Sequence, residues 1–188
     1  MSRQLPDLTI LVNDIALNNS EASYKQLFGI LLPSLTRFSY CLLKSKELAE
    51  EVASDVMITL WRNRQKLREI ENINVYALVT ARNLSLNIIN KHSKRDIISL
   101  DDIEVDVIFD TLTPEQILIN DELKKKLEVA IQALPTRCKL VFKLIKEDGL
   151  SYKEAAGILN ISVKTVDAHL VTAIKKLTST LRVEFNLA

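Results

Sequence analysis

Polar and basic side chains near the end of the chain recur at the spacing of helix faces. These residues are Lys164, Thr165, Asp167, His169, Thr172, Lys175 and Lys176. Hydroxyl and carboxylate groups can form hydrogen bonds to the edges of bases, and lysines can neutralise phosphates. The set therefore indicates binding to nucleic acid, provided that a helix brings these groups together on an exposed surface.

Two short helices and a tight turn are predicted to position this group. Ser151 and Glu154 have the spacing of a capping box, which starts the first helix. Asn160 stands where a left-handed residue ends a helix, and Ser162 can cap the second helix. Apolar residues at steps of four, four and three predict the buried stripe of the second helix: Val166, Leu170, Ile174 and Leu177.

Residues 151–177 therefore have the form of a helix-turn-helix, whose second helix enters the major groove of DNA. An ordinary helical hairpin is the alternative. Small alanines in the first helix, a turn of about three residues and a basic exposed face favour DNA binding over that alternative.

The composition predicts an all-helical protein whose charge is separated along the chain. Of 188 residues 47% are hydrophobic, and only three are Gly and four Pro, which suits one or two helical domains. With Lys and Arg counted against Asp and Glu, the net charge is +4 for residues 1–95, −8 for residues 96–121 and +5 for residues 122–188. This layout fits two nucleic-acid-binding surfaces joined by a tether that DNA repels.

The sequence carries no motif for catalysis, for a cofactor or for a membrane span. It lacks a glycine-rich phosphate loop, a paired-carboxylate site and a nucleophile motif. His169 has no Cys or second His at ligand spacing, so no metal site is expected. Cys41 and Cys138 are expected to be buried thiols in a reducing compartment. The chain has no run of about 18 apolar residues and no signal-like start, which predicts a cytoplasmic protein.

The first basic block is predicted to be a helical bundle. One helix starts near Ser20, and Pro33 is expected to begin a second helix. The third helix has predicted inward positions at Leu48, Val52, Val56, Leu60 and Trp61. A different face of that helix carries Glu51, Ser54, Asp55, Ile58 and Arg62. Such a face is ordinarily solvated; binding of a partner is the alternative, because Ile58 would stand exposed among charges.

One more helix and an acidic segment follow. The helix has predicted inward positions at Val75, Val79, Leu86 and Ile89. Its polar stripe consists of Asn83, Asn87, Asn90, Lys91 and Lys94, which could contact nucleic acid or simply face solvent. Residues 96–113 have no basic side chain and no clear helical period, so they are predicted to be an extended or mobile linker. A capping box at Thr113 is expected to start the next helix.

Two stretches of the sequence resemble one family. ELAEEVASDVMITLWRNRQKL followed by INVYALVTARNLSLNIINK resembles conserved region 2 of bacterial RNA polymerase sigma factors, and ALPTRCKLVFKLIKEDGLSYKEAAGILNISVKTVDAHLVTAIKKL resembles their region 4. Their order, without a middle domain, is similar to that of the extracytoplasmic-function (ECF) group. The resemblance implies an all-α fold with region 2 in residues 1–95, an acidic flexible linker in residues 96–113 and region 4 in residues 114–188.

The resemblance also implies binding sites. Residues expected to dock on the clamp of core RNA polymerase are Glu51, Ser54, Asp55 and Arg62. Residues expected to capture or face the minus-ten element are Arg68, Asn72, Asn74, Tyr76, Arg82, Asn83, Asn87 and Lys91. Residues expected to contact the minus-thirty-five element are Lys164, Thr165, Asp167, Ala168, His169, Thr172, Lys175 and Lys176. Many relatives have Trp at the position of Tyr76, an aromatic residue at Leu78 and glycine at Asn160.

The implied function is that of a sigma factor, which is not an enzyme. Its expected partners are core RNA polymerase, through the clamp and flap regions, promoter DNA and an anti-sigma factor; no cofactor and no insertion into a membrane are expected. A transcriptional activator of the response-regulator type is an alternative, because GLSYKEAAGILNISVKTVDAHL also resembles its output helix-turn-helix. A helical adaptor without a DNA role is a third. The first block lacks the strands and the acidic cluster of a receiver domain, and the charge layout disfavours the adaptor.

Overall fold

The computed structural model describes residues 8–92, 100, 103, 105–107 and 121–185, except the side chains of residues 92, 121–125, 127 and 181–185. The described residues form helices and connecting segments, without a strand. The chain divides into two compact units, Met1–Lys94 and Arg95–Ala188. The all-α expectation is therefore confirmed. The capping box expected at Thr113 and the side chain of Lys94 lie outside the described residues.

The first unit is a bundle around a long central helix. Its elements are α1 (Leu8–Asn18), α2 (Glu21–Leu43), α3 (Lys46–Arg62), a 3₁₀ segment (Arg64–Glu69) and α4 (Ile73–His92). Ser20 caps α2 by accepting a hydrogen bond from the backbone N–H of Ser23, and Lys44 ends α2 in the left-handed conformation. The central position of α2 follows from its contacts with α1, α3 and α4.

The expectation that Pro33 begins a new helix is wrong, because α2 continues through it. A proline inside a helix lacks the N–H that would bond to the carbonyl four residues earlier, here that of Gly29. Burial of Leu27, Leu31 and Leu35 on either side of that defect offsets its cost. By length and composition α2 could also cross a membrane, but these buried residues identify it as the core helix of the bundle.

The buried positions of α3 and α4 match the positions predicted from the sequence to different degrees. In α3, Val52, Val56 and Leu60 are buried as expected, and Leu48 and Trp61 are half-buried. In α4 the predicted stripe of Val75, Val79, Leu86 and Ile89 is only half-buried. The fully buried positions of α4 are instead Ile73, Ala77, Leu78, Ala81 and Ser85. Small residues at steps of four let helices approach closely, and they carry little hydrophobic signal in the sequence.

The second unit contains the helix-turn-helix. Its helices are α5 (Asp121–Gln132), α6 (Thr136–Phe142), α7 (Tyr152–Leu159) and α8 (Val163–Phe185), with a π-helical turn (Lys143–Glu147) after α6. Gly149 follows that turn with a φ of 69°. A core cluster joins α5, α6 and α8 through the buried residues Ala130, Ile131, Leu134, Cys138, Ala173 and Leu177.

The buried stripe of α8 differs from the predicted one at a single position. Val166, Leu170 and Leu177 are buried as expected, but Ile174 is 41% exposed. Ala173 takes the buried place instead. Each residue turns the helix by about 100°, so the steps of four, three and four between Val166 and Leu177 keep the buried residues on one side. Ile174 is rotated by about 100° from Ala173 and therefore lies off that side.

Part of the acidic segment is tied to the second unit and is not a free linker over that length. We call Ile103, Val105, Asp106 and Val107 the strap. The three apolar residues of the strap are buried. The Thr136 hydroxyl donates a hydrogen bond to the Ile103 carbonyl (2.8 Å), and Lys139 Nζ donates to the Val105 carbonyl (2.9 Å). Gln132 Nε2 donates to the Val107 carbonyl (2.8 Å) and to Asp106 Oδ1 (2.7 Å).

The apolar residues of the strap alternate along the chain, which gives an extended segment one apolar face. The side chains of α5 and α6 then satisfy its carbonyl groups, as burial requires. These two features explain why a segment without helical period is nevertheless held in place.

Candidate DNA-binding and partner-binding surfaces

The helix-turn-helix has the local geometry that its sequence predicts. The Ser151 hydroxyl accepts a hydrogen bond from the backbone N–H of Glu154 (3.3 Å), and the Glu154 carboxylate accepts one from the backbone N–H of Ser151 (2.8 Å). Asn160 ends α7 in the left-handed conformation, with φ 55° and ψ 51°. The Ser162 hydroxyl accepts from the backbone N–H of Thr165 (3.0 Å) and so caps α8. These caps fix the angle at which α8 leaves the turn.

The first two thirds of α8 present most of the predicted minus-thirty-five residues to solvent. Lys164, Asp167, Ala168, Thr172, Lys175 and Lys176 are exposed, and Thr165 and His169 are half-buried. The Thr165 hydroxyl lies 2.7 Å from the Ser162 hydroxyl, and the Thr172 hydroxyl donates to the Ala168 carbonyl (2.8 Å). Both threonines thus take part in holding the helix as well as in forming its surface.

His169 differs from its neighbours because its ring is turned towards α6. Its Nδ1 lies 3.6 Å from Cys138 Sγ. Burial raises the pKa of the Cys138 thiol, although the charge of Lys176 opposes the rise. Cys41 and Cys138 are both buried and neither forms a disulfide, as expected. Among the residues that the structure describes, no group of three or more His, Cys, Asp or Glu side chains could hold a metal ion.

An apolar residue at the start of α8 was not singled out from the sequence. Val163 is exposed at the first position of that helix, beside Lys164. Exposed apolar groups at this place can contact the methyl group of thymine. The sequence indicated this role of Val163 only through its position directly after the cap residue Ser162.

The outward face of α4 brings four predicted minus-ten residues together. Tyr76, Asn83, Asn87 and Lys91 are exposed, and they fall within about 80° of one another around the helix. Arg82 lies about 120° from Tyr76 around the helix and is half-buried. Its Nε and Nη2 donate to Asn83 Oδ1 (3.2 and 2.8 Å), so its guanidinium bends towards the shared face. Burial lowers the pKa of Arg82, which nevertheless stays charged. Leu78 is buried and offers no stacking surface.

The remaining minus-ten residues lie where the chain enters α4. Asn72 Oδ1 accepts hydrogen bonds from the backbone N–H groups of Asn74 (3.0 Å) and Val75 (3.2 Å), so Asn72 caps α4. Arg68 and Asn72 line a cavity of about 280 Å³ between α1 and this segment. Asn74 does not line that cavity and is half-buried in the first turn of α4. The three residues are therefore not one cluster.

The second face of α3 is exposed and contiguous. Glu51, Ser54, Asp55, Ile58 and Arg62 fall within about 100° around the helix, and all five are exposed, Ile58 by 45%. Beside them α2 and α3 form a groove of about 620 Å³. Its lining includes Tyr24, Lys25, Phe28, Ile58, Trp61 and Arg62. The sequence did not indicate the contribution of α2, because residues thirty or more positions apart form this surface.

The wall of this groove is rigidly built. The rings of Tyr24 and Trp61 are tilted against each other with centroids 4.8 Å apart, and the Arg64 guanidinium lies 4.6 Å from the centroid of the Trp61 ring. The Tyr24 hydroxyl donates to the Met57 carbonyl (2.9 Å), and burial raises the pKa of that hydroxyl. The exposed charges of α3 thus lie next to the apolar wall of this groove, a combination typical of protein-binding surfaces.

Comparisons with known proteins agree with this geometry. Residues 27–95 match the family model described as Sigma-70 region 2, and residues 124–177 match the model described as Sigma-70, region 4. No protein with curated annotation is significantly similar to the chain in sequence.

Two solved structures share the fold. A sigma factor RpoE, solved with the anti-sigma factor NepR from Bartonella quintana, is 20% identical with a TM-score of 0.61; the match covers 85% of this chain and 97% of that one. CnrH, solved with the cytosolic domain of CnrY, is 18% identical with a TM-score of 0.57; the match covers 94% of this chain and 99% of that one.

Proposed function

Because the chain belongs to the sigma-70 family, with region 2 in its first unit and region 4 in its second, we propose that it acts as a sigma factor of the ECF type. It binds core RNA polymerase in the cytoplasm and directs initiation at a specific set of promoters. The observation that carries this proposal is the presence, in one chain, of a capped helix-turn-helix and of a separate unit whose α4 exposes a face of amides, an aromatic ring and a lysine.

In this proposal α8 reads the minus-thirty-five element. Lys164, Asp167, Ala168 and the residues around them reach base edges, and Lys175 and Lys176 contact phosphates. Each phosphate that a lysine neutralises adds about 0.9 to the salt slope of binding, so these two lysines give a slope of about −1.8. Such a contact is weak by itself, which suits a protein that reads promoters while held on the polymerase.

In this proposal the first unit binds core RNA polymerase and the minus-ten element. The exposed face of α3, with Glu51, Ser54, Asp55 and Arg62, docks on the polymerase clamp, and the flap contacts region 4. The face of α4 follows the separated strand of the minus-ten element, where Tyr76 can stack on a base and the amides can bond to base edges. Phosphoryl chemistry is left to the polymerase, so the chain itself is not an enzyme.

A regulator that masks these surfaces is part of the proposal. RpoE from Bartonella quintana was solved with an anti-sigma factor, and CnrH was solved with the cytosolic domain of CnrY. The likeness in fold supports an anti-sigma factor as a partner of this chain, with the groove between α2 and α3 as an accessible apolar surface for it.

Transcription from a promoter that depends on this chain tests the assignment of the surfaces. Asp55→Lys should weaken binding to core polymerase by about tenfold or more, since a reversed charge meets repulsion, and so lower transcription from every promoter. Lys164→Glu should keep polymerase binding and lose promoter recognition. Arg37→Glu, an exposed reversal on α2, is the matched control and should behave as wild type.

The outcome that contradicts the proposal is equally specific. If the chain binds duplex promoter DNA without polymerase, and Asp55→Lys leaves transcription unchanged, it acts as an activator of the response-regulator type.

A further inference from the structure

A buried contact joins α8 to α6. The Nδ1 atom of His169 in α8 lies 3.6 Å from the Sγ atom of Cys138 in α6. Cys138 is 3% exposed and belongs to the core cluster of the second unit, whereas His169 is half-buried. The edge of the imidazole ring that carries Nδ1 therefore faces the interior, while part of the same side chain stays accessible on the surface of α8.

The direction of the hydrogen bond follows from the state of the thiol. Burial raises the pKa of the Cys138 thiol, so the sulfur keeps its hydrogen. A neutral imidazole has one nitrogen that donates and one that accepts, and a thiol sulfur is itself only a weak acceptor. The favoured arrangement is a thiol that donates to Nδ1. The hydrogen of the ring then lies on Nε2, because the bond made by one ring nitrogen sets the state of the other.

His169 lies on a flank of α8. Each residue turns the helix by about 100°, so His169 is rotated by about 100° from Ala168, which is directed away from the buried stripe. Lys176 lies within about 20° of His169 around the helix and about 10 Å further along its axis. When such a helix occupies the major groove, its outermost face meets the bases and its flanks meet the sugar-phosphate strands. His169 and Lys176 therefore face the same strand.

Cys138, His169 and Lys176 form one group. The charge of Lys176 acts on the Cys138 thiol, which places the ammonium group near the pair, and Lys176 itself is exposed. An N–H donor and an ammonium group side by side match the oxygens of successive phosphates, which are anionic acceptors. The position of His169 on the flank favours a phosphate over the edge of a base.

We infer that Cys138 is a positioning residue for the contact between α8 and DNA, because its thiol holds His169 as the tautomer that donates from Nε2 to a phosphate oxygen beside the minus-thirty-five element. The inference rests on the proposed function and adds to it a buried residue that DNA does not touch. In this arrangement Lys176 supplies charge, and His169 supplies a hydrogen bond of fixed direction.

The tautomer is measured first, by nitrogen NMR of the complete free chain with labelled histidines at about pH 8, where an ordinary imidazole is neutral. The chain has two histidines, and the signals that disappear in His169→Gln identify His169. For wild type we expect the hydrogen on Nε2 and none on Nδ1. Cys138→Ser keeps a donor and should keep this state. Cys138→Ala should move both nitrogen signals towards those of a mixture of tautomers. Both variants lose the sulfur, so their difference reports the donor.

The phosphate contact is measured on the complete chain bound to core polymerase and a promoter that depends on it. Each phosphate of the minus-thirty-five element is replaced in turn by a neutral methylphosphonate. One replacement should lower the affinity of wild type by about tenfold or more, since a hydrogen bond to a charged acceptor is lost. His169→Ala should lower the affinity equally, and that replacement should then have no further effect.

Two pairs of variants separate positioning from packing. Cys138→Ala should lower the affinity by about twofold to tenfold, the range of a neutral hydrogen bond, and Cys138→Ser should lower it less. His169→Gln, whose amide nitrogen reaches about as far as Nε2, should bind more tightly than His169→Asn. Cys41→Ala is the matched control, because Cys41 is also buried but lies in α2 of the first unit. It should leave the tautomer and the affinity unchanged.

The inference is overturned if His169 of wild type carries its hydrogen on Nδ1, or if Cys138→Ala keeps the wild-type tautomer and affinity. It is also overturned if changes of base, and not of phosphate, abolish the difference between wild type and His169→Ala, since His169 would then contact a base. These results leave the proposed function standing. Failure of the wild-type complex to bind any promoter would instead overturn the proposed function, and it would affect wild type and every variant alike.

Discussion

Replacing Lys139 with Met should release the strap from the second unit without unfolding that unit. Lys139 is only 6% exposed, and its Nζ donates to the Val105 carbonyl (2.9 Å) and to Gln132 Oε1 (3.0 Å). Met keeps most of the apolar stem and removes the ammonium group. Because burying an ammonium is itself unfavourable, the stability of the whole unit should change less than the attachment of the strap.

The size of the effect follows from the bond to Val105. A hydrogen bond donated by a charged group contributes about 1.5–3 kcal/mol, and each 1.4 kcal/mol is a factor of ten in an equilibrium. Loss of this bond should therefore raise the fraction of molecules in which the strap is detached, which we call its open population, by about tenfold to a hundredfold. Thr136→Val removes a neutral bond to the Ile103 carbonyl and should raise it by only about twofold to tenfold.

Limited proteolysis measures this population. An endopeptidase specific for acidic residues cuts after Asp106 when the strap is open, and under conditions of rapid closing the cleavage rate follows the open population. Lys143→Met is the matched control, since Lys143 is 1% exposed and bonds to Asp148 (2.9 Å) away from the strap. Cleavage of Lys139→Met at the wild-type rate, or an equal acceleration of the cut at Asp106 by Lys143→Met, would show that Lys139 does not hold the strap.

Two further predictions concern stability. Asn160→Gly should keep or slightly raise the thermal unfolding midpoint of the second unit. Asn160→Val should lower the free energy of unfolding by about 1–2 kcal/mol, because a β-branched residue is strained in the left-handed region. An unchanged free energy of unfolding in Asn160→Val would contradict the left-handed turn. Asp14 has a pKa of about 2 in the folded chain against 3.8 ordinarily, so its contribution to stability is present above about pH 4 and is lost as the pH falls through the folded value. In Asp14→Asn the free energy of unfolding should therefore fall less steeply with decreasing pH between about pH 4 and the folded pKa of Asp14. An unchanged pH dependence in that range would show that Asp14 does not contribute to the acid sensitivity of the fold.

Features that depend on neighbouring residues could be predicted from the sequence. The capping box of Ser151 and Glu154, the left-handed Asn160 and the cap Ser162 involve residues at most four apart, whose chemistry is set locally. The polar faces of α3 and α8 also follow from periodicity alone, because exposed charges repeat at helical spacing.

Features that depend on distant parts of the chain could not be predicted. The buried line of α4 runs through Ala77, Ala81 and Ser85, whose size suits close packing but gives no apolar stripe. Lys139 is buried and bonds to the strap, a contact that depends on residues more than thirty positions away in the sequence. The cavity beside α4 needs α1 as a wall, and nothing in either segment indicates that they meet.

We propose that this chain gives core RNA polymerase its promoter specificity. The most direct measurement is to sequence the 5′ ends of transcripts made by purified core polymerase from a library of promoter fragments, with and without the chain. We expect new starts that appear only with the chain and share two short upstream elements, with recognition of the distal one lost in Lys164→Glu. Identical 5′ ends in the two reactions would contradict it.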